Sequence, residues 1–247
     1  MADWNESPRT QQQGFGSVPR TGSLPAGVTF DEGLRKHMLS IYNYMTSGVL
    51  LTGIIALLTA RSGLAISFAS GPLMWLVALS PLAVVMAMSF GANRFSKTTL
   101  QALFWGFAVL MGLSLSTIFL VYTGESIAAT FFATAGAFAG LSLFGYTTKK
   151  DLSGWGSFLI MGVVGLIIAM VINIFLGSGT MALVISFLGV LIFAGLTAYD
   201  TQRLKTEYGH YRGTEWAGKA VILGALNLYL DFINMFLFLL RFMGSRE

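Results

Sequence analysis

The sequence predicts an all-α integral membrane protein, a seven-transmembrane helix bundle whose last helix is central. Three features predict this fold class: an apolar composition, seven long apolar runs, and a polar stripe within the last run. Of the 247 residues, 55% are hydrophobic and 11% are charged, whereas soluble domains carry about 25% charged residues. Composition therefore argues against a soluble protein. The absence of cysteine excludes disulfides, thiolate metal sites and a thiol nucleophile.

Each of the seven apolar runs is long enough to cross a hydrocarbon core of about 30 Å as a helix. The runs do not alternate like the strands of a barrel, and a helix satisfies its own backbone hydrogen bonds in lipid. Short connections separate the runs, so most neighbouring helices are expected to form antiparallel hairpins. The runs cover residues 37–60, 72–92, 98–122, 126–146, 156–176, 181–200 and 219–241.

Two domains follow from this pattern: a disordered cytoplasmic N-terminal tail, residues 1–36, and a transmembrane domain, residues 37–243. The tail is polar, rich in Gln, Gly, Ser and Pro, and lacks an apolar helical period. It also lacks a charged segment followed by a short apolar stretch and a cleavage site. No secretory signal peptide is therefore expected.

The positions of Lys and Arg predict that the N-terminus is cytoplasmic and the C-terminus outside. In this orientation twelve basic residues lie on the cytoplasmic side and three lie outside, which satisfies the positive-inside rule. Membrane orientation thus explains the excess of Lys and Arg over Asp and Glu. No nucleic-acid partner is expected. The last cytoplasmic loop, residues 201–218, mixes basic and aromatic side chains. We interpret it as a belt facing anionic lipid headgroups, with a protein-docking loop as the alternative.

Small residues recur inside the runs, with the spacing that lets helices approach closely. Gly136 and Gly140 form a GxxxG motif in the fourth run, and Gly162, Gly165 and Gly195 are similar. Such motifs serve either packing within one bundle or a dimer face. Packing within the bundle is the expectation here.

Ionisable residues inside membrane spans are costly and usually functional, and Asp231 is the clearest case in this chain. It lies twelve residues after Lys219, about 18 Å along a helix and hence near mid-bilayer. Gly224, Asn227 and Asn234 share its helical face, so this stripe must line the bundle interior or a wet cavity. The alternative is an aspartate that only hydrogen-bonds neighbouring helices.

Asp200 and Arg94 are further candidates, although each has a simpler interpretation. Asp200 closes the sixth run, where a capping or solvated aspartate is common, and Arg94 at the end of the second run could be only a positive-inside marker. If both converge with Asp231, the two carboxyl groups titrate as a unit and can switch within a physiological pH range. Contact between the two aspartates requires helix tilt or displaced boundaries, because Asp231 is placed deeper.

Specific motifs stand in three of the runs. The sixth run ends in GLTAYDTQ, residues 195–202, and the seventh contains LYLDFIN, residues 228–234. The third contains LMGLSLS, residues 110–116, followed by FLVYT, residues 119–123. With the seven-span layout, these motifs resemble the Bax inhibitor-1 (transmembrane Bax inhibitor motif) family, specifically its bacterial branch. The resemblance covers about residues 30–243.

The resemblance implies that the other six helices wrap the last one and that the protein is a pH-sensitive Ca²⁺ leak channel. In the family, two aspartates on helices six and seven form a proton-sensing pair, and Asp200 and Asp231 match these positions directly. An arginine on helix two helps to latch the pore closed, and Arg94 matches it more loosely by its place before Ser96.

Further expectations concern ions, location and pore lining. Hard carboxylate oxygens suit Ca²⁺, so Asp200 and Asp231 are expected to hold it transiently as the permeant ion, with no cofactor. Asn227 and Asn234 are expected to line the pore, an inference from the stripe and not from the family. A bacterial inner membrane is the expected location, with an organelle membrane second.

An intramembrane aspartyl protease is the first competing function, but Tyr229 and Leu230 precede Asp231 where that type needs Gly-x-Gly. No Pro-Ala-Leu motif follows. A rhomboid-type serine protease needs a membrane-embedded histidine, and His37 and His210 lie at the edges of the runs. A retinal protein needs a lysine within the seventh run, and none follows Lys219 there. No enzymatic activity is expected.

The second competing function is a non-conducting protein that binds and modulates a membrane protease or another membrane complex. Some bacterial members of the family are known in that role. The polar tail and the loop after Asp200 would be the docking surfaces. Deletion of residues 1–30 separates the two functions if partner binding is lost while ion flux is intact.

Overall fold

The computed structural model describes residues 26–69 and 71–246, and almost all of this part is helical. The predicted tail at residues 1–25 lies outside the described residues. A 3₁₀ segment, Ser116–Leu120, follows the fourth helix. The helices are α1 (Ala26–Arg61), α2 (Leu64–Phe68), α3 (Gly71–Gly91), α4 (Lys97–Leu115), α5 (Gly124–Thr147), α6 (Ser153–Leu176), α7 (Gly179–Tyr211) and α8 (Trp216–Met243).

Within the described residues, seven helices are long and apolar enough to cross a membrane, namely α1 and α3 to α8. Their outer surface is covered with large apolar side chains: Phe90 is 80% exposed, Ile174 78% and Phe175 85%. Such a continuous apolar surface suits lipid and not water. The predicted fold class is confirmed, and the protein is an integral membrane protein.

Helix α1 begins well before the predicted start of the first span. The tail was expected to reach residue 36, yet residues 26–36 are helical. Leu34, Met38 and Ile41 are buried, so the apolar period already begins at Leu34. The exposed polar residues Arg35 and Lys36 between them lower the local hydropathy and mask this period in the sequence.

Helix α7 ends at Tyr211, eleven residues beyond the predicted end of the sixth span at Asp200. Its continuation is amphipathic, because Thr201, Leu204 and Tyr208 are buried at spacings i, i+3 and i+7. Polar residues on the opposite face made this segment resemble a loop. The loop predicted at 201–218 is therefore wrong, and only residues 212–215 connect α7 to α8.

Helix α8 is the centre of the bundle, as predicted. Two-thirds of its most apolar window is buried (67%), against 11% for α3 and for α6. It packs mainly on α1, α4, α5 and α7, while α3 packs on α4 and α6 packs on α7. The expectation that six helices wrap the last one is therefore corrected to four, with α3 and α6 forming an outer layer.

The glycines of the predicted small-residue motifs lie in two different environments. A Cβ atom at Gly162 would meet Ile192, and one at Gly195 would meet Leu159, so the expected close packing is confirmed between α6 and α7. A Cβ atom at Gly136 or Gly140 would meet open space, as would one at Gly165. The packing expectation is wrong for these three glycines, because the helical period turns them away from the buried face of their helices.

The two ends of the bundle carry different segments. The end with the loops 92–96, 148–152 and 212–215 is the predicted cytoplasmic end, and it also holds the start of α1. At the opposite end the residues after α8 pair with Thr123 and with the first turn of α5. The Thr123 N–H donates to the Ser245 carbonyl at 3.2 Å, and the Ser245 N–H donates to Ser126 Oγ at 2.9 Å.

Candidate functional site

Asp231 lies in the middle of α8 and in the interior of the bundle. It follows Trp216 by fifteen residues and precedes Met243 by twelve, which places it about 22 Å and 18 Å from the two ends of the helix. Its exposed fraction is 5%. The sequence prediction of a deep, inward-facing aspartate therefore agrees with the structure.

Asp200 lies at nearly the same depth on the neighbouring helix. It precedes Tyr211, the end of α7, by eleven residues, or about 17 Å along the axis. The sequence placed Asp200 nearer to the membrane surface than Asp231 only because the sixth span was predicted to end at Asp200. Because α7 continues past it, Asp200 is an interior residue with a side chain 14% exposed.

The carboxyl groups of Asp200 and Asp231 lie within hydrogen-bonding reach of each other, and we refer to them as the aspartate pair. An ionised carboxylate can only accept hydrogen bonds, so a bond between two carboxyl groups requires that one of them carries a proton. The Oδ2 atom of Asp231 is buried and has no hydrogen-bond partner among the described residues. The pair can therefore bind and release a proton, and one oxygen is free for a further donor or a cation.

Arg203 and Glu207 extend the aspartate pair along α7 toward the predicted cytoplasmic end. Arg203 Nη1 lies 4.0 Å from Asp200 Oδ1, and its Nε donates to Glu207 Oε1 at 2.8 Å. The sequence did not predict these two ion pairs. The spacing i, i+3 and i+7 from Asp200 would have indicated them if the helix had been extended beyond Asp200.

The structure does not bring Arg94 to the aspartate pair. Helix α3 ends at Gly91, and Arg94 is an exposed residue of the following turn, where its backbone N–H donates to the Gly91 carbonyl. Within the described residues no ion pair joins Arg94 to either aspartate. Arg203 stands next to Asp200 instead, and the latch role of Arg94 stays a prediction.

Asn227 and Asn234 lie on the same face of α8 as Asp231, and both are half-buried. Asn234 Nδ2 donates to the Leu230 carbonyl one turn earlier at 2.8 Å. Gly224 lies on the same face and packs closely against α7, because a Cβ atom there would meet Leu204. Their role as pore-lining residues stays a prediction.

Comparison with known proteins places this chain in a family. The family profile described as "Inhibitor of apoptosis-promoting Bax1" matches residues 34–247. The chain belongs to the Bax inhibitor-1 family. A Caulobacter vibrioides protein is 48% identical over 91% of this chain and 96% of its own length. The inner membrane protein YbhL of Escherichia coli K12 is 44% identical over 93% of this chain and 98% of its own length.

The match to the Bax inhibitor-1 family starts at Leu34, a buried apolar residue of α1. It includes α3 to α8 in full, and thus both members of the aspartate pair and Arg94. Residues 26–33 of α1 precede it. The family match therefore covers the helical bundle from Leu34 onward.

Proposed function

We propose that this membrane protein of the Bax inhibitor-1 family is a pH-sensitive Ca²⁺ leak channel gated by the aspartate pair. The feature that supports this function best is the pair of neighbouring carboxyl groups that α7 and α8 contribute in the bundle interior. We place the protein in a bacterial inner membrane with a cytoplasmic N-terminus, since a close relative is named an inner membrane protein and basic residues cluster at one end.

A shared proton would couple α7 to α8, and its loss would separate them. Two unit charges 4 Å apart repel by about 4 kcal/mol at an effective dielectric constant of 20. A difference of that size changes a conformational equilibrium by about a thousandfold. The deprotonated pair must therefore move apart or take up a cation, and separation of α7 from α8 would open a route past α8.

The site is suited to Ca²⁺ as a permeant ion and not as a stably bound one. It takes six to eight oxygen ligands, whereas two carboxylates offer four. Within the described residues no cluster of three or more His, Cys, Asp or Glu side chains could hold a metal ion. Asn227 and Asn234 would supply further oxygens along the stripe, one turn on either side of Asp231.

Purified protein in liposomes, with Ca²⁺ flux followed from weakly acidic to weakly basic pH, tests the proposal. Asp231→Asn should abolish the pH dependence of flux, because an amide neither releases a proton nor carries the negative charge of a carboxylate. Asp200→Asn should do the same. Arg94→Ala should raise the basal leak if this arginine latches the closed state.

Asp151→Asn is the matched control, because Asp151 lies in the exposed loop between α5 and α6 at the same end of the bundle. The hydroxyl and backbone N–H of Ser153 hydrogen-bond its carboxylate and lower its pKa from the usual value. Asp151 therefore stays charged throughout the tested pH range, and its replacement should leave the pH profile unchanged. An unchanged profile for Asp231→Asn would contradict the gating mechanism. No flux above that of empty liposomes would leave a non-conducting modulator as the function.

A further inference from the structure

A lateral groove opens on the side of the bundle between α1 and α5. Its volume is about 680 Å³, and its floor is formed by Phe232 of α8. The lining residues run from Arg35 to Leu50 on α1 and from Phe131 to Tyr146 on α5. Each wall is thus fifteen residues or about 22 Å long, more than half of a hydrocarbon core of about 30 Å.

The lateral groove has an apolar body and one polar end. Met45, Val49, Ala135 and Leu143 contribute to the apolar walls. Arg35 lies at the predicted cytoplasmic end, where it is exposed. Within the described residues no carboxylate forms an ion pair with it. This polarity matches a molecule with an apolar chain and an anionic head.

Ser142 gives the lateral groove an unused hydrogen-bonding group. Its exposed fraction is 5%, and its Oγ atom is buried with no hydrogen-bond partner in the described part of the chain. Ser142 lines the groove four residues before Tyr146, about 6 Å deeper in the membrane. A buried hydroxyl without a partner is costly, so an occupant that accepts its hydrogen bond is favoured.

The volume of the lateral groove selects between a lipid chain and a protein helix. A helix about 10 Å across fills about 420 Å³ in each 5.4 Å turn, so the groove would enclose less than two turns. A volume of 680 Å³ lies within the range of about 300–1,000 Å³ that is typical of small-molecule sites. A flexible acyl chain can follow the full length of the groove, and a transmembrane helix cannot enter it.

We propose that the lateral groove binds one anionic phospholipid of the predicted cytoplasmic leaflet. One acyl chain lies between α1 and α5 against Phe232, and the phosphate lies at the Arg35 guanidinium. The ester carbonyls follow the phosphate into the membrane, so one of them can accept a hydrogen bond from Ser142 Oγ. This site does not depend on ion conduction.

Photo-crosslinking tests the proposal with full-length protein in vesicles of equal parts phosphatidylcholine and phosphatidylglycerol. A trace of either phosphatidylglycerol or phosphatidylcholine carries a diazirine on its acyl chain, and mass spectrometry locates the adducts. Adducts from phosphatidylglycerol should concentrate on groove residues such as Thr46, Ala139 and Leu143. Labelling by phosphatidylcholine should be about fivefold weaker there, because one basic residue at the surface contributes about that preference.

Two pairs of variants separate the groove from general lipid contact. Ala139→Phe fills the groove and should suppress the adducts, whereas Ala133→Phe, on an exposed part of α5 outside the groove, should not. Arg35→Gln should remove the preference for phosphatidylglycerol without affecting packing, because Arg35 is exposed. The neighbouring exposed Lys36 does not line the groove, so Lys36→Gln should leave the preference intact.

Equal groove labelling by the two lipids would overturn the anionic site. Adducts spread evenly over the faces of α5, or an unchanged pattern in Ala139→Phe, would show general lipid contact and would also overturn it. Loss of the preference in Lys36→Gln as well as in Arg35→Gln would assign it to surface charge and not to the groove.

Discussion

Thr52 and Tyr229 show how single polar side chains fix the packing inside this apolar bundle. Thr52 Oγ1 donates to the Ala108 carbonyl of α4 at 2.8 Å and lies 2.7 Å from the Tyr229 hydroxyl of α8. Since Thr52 has a single hydroxyl proton, the Tyr229 hydroxyl must donate to Thr52 Oγ1. One threonine thus joins α1, α4 and α8.

We expect Thr52→Val to destabilise the protein more than Tyr229→Phe. Thr52→Val deprives both the Tyr229 hydroxyl and the Ala108 carbonyl of a partner, at a cost of about 1–3 kcal/mol. Tyr229→Phe leaves the bond to Ala108 intact and should cost about 1 kcal/mol. The free energy of unfolding in mixed micelles with sodium dodecyl sulfate measures both effects.

Thr147→Val is the matched control for Thr52→Val, because Thr147 is exposed and donates only within its own helix, to the Leu143 carbonyl. It should change the free energy of unfolding little. If Tyr229→Phe costs as much as Thr52→Val, the assigned direction of the Thr52–Tyr229 hydrogen bond is wrong.

Among the site residues, the sequence indicated those whose chemistry is unusual for their surroundings. Asp231 stands out because no other acidic residue lies within the seventh run, and its polar stripe predicts an inward face. Arg203 was missed because an exposed arginine near an aspartate is ordinary at the end of a span. The position of Arg94 depends on the tertiary path of the turn after α3, which a helical period does not determine.

Helices α5 and α7 approach closely where Gly145 faces the backbone of Ala198, two residues before Asp200. A Cβ atom at Gly145 would collide with the Ala198 carbonyl oxygen. Gly136, on the same helix, has open space around it. The two glycines therefore provide an internal comparison between a contact position and a lipid-facing position.

Gly145→Ala should destabilise the bundle by about 1–3 kcal/mol, because extra volume at a tight contact forces the helices apart. Gly136→Ala should be neutral or stabilising by up to about 1 kcal/mol, since alanine favours the helix over glycine. Thermal unfolding in detergent compares the two variants. Similar melting temperatures for both would show that α5 does not approach α7 at Gly145.

For the helices, hydropathy predicted the seven spans well and the amphipathic extensions poorly. The seven runs correspond to α1 and α3 to α8, because lipid-facing helices must be apolar over their full span. The first turns of α1 and the last turns of α7 extend beyond that span, where one face is polar. A hydropathy average cannot distinguish such a helix from a polar loop.

The whole bundle has two chemically distinct ends, and its orientation in the membrane is a prediction that can be measured. The chain contains no cysteine, so single cysteines can report on each end. Ser245→Cys should react with a membrane-impermeant maleimide on intact spheroplasts. Thr214→Cys, in the exposed connection between α7 and α8, should react only after permeabilisation. The reverse pattern would invert the predicted topology.

An infrared titration of the protonated carboxyl groups tests most directly whether Asp200 and Asp231 share one proton. If the two groups are coupled, replacing either one changes the midpoint at which the other titrates, and the two effects are reciprocal. We predict that Asp200→Asn shifts the midpoint of Asp231 and that Asp231→Asn shifts that of Asp200, while Asp151→Asn shifts neither. Midpoints that stay the same in both single variants would show that the two carboxyl groups titrate independently, and the proposed proton switch would be contradicted.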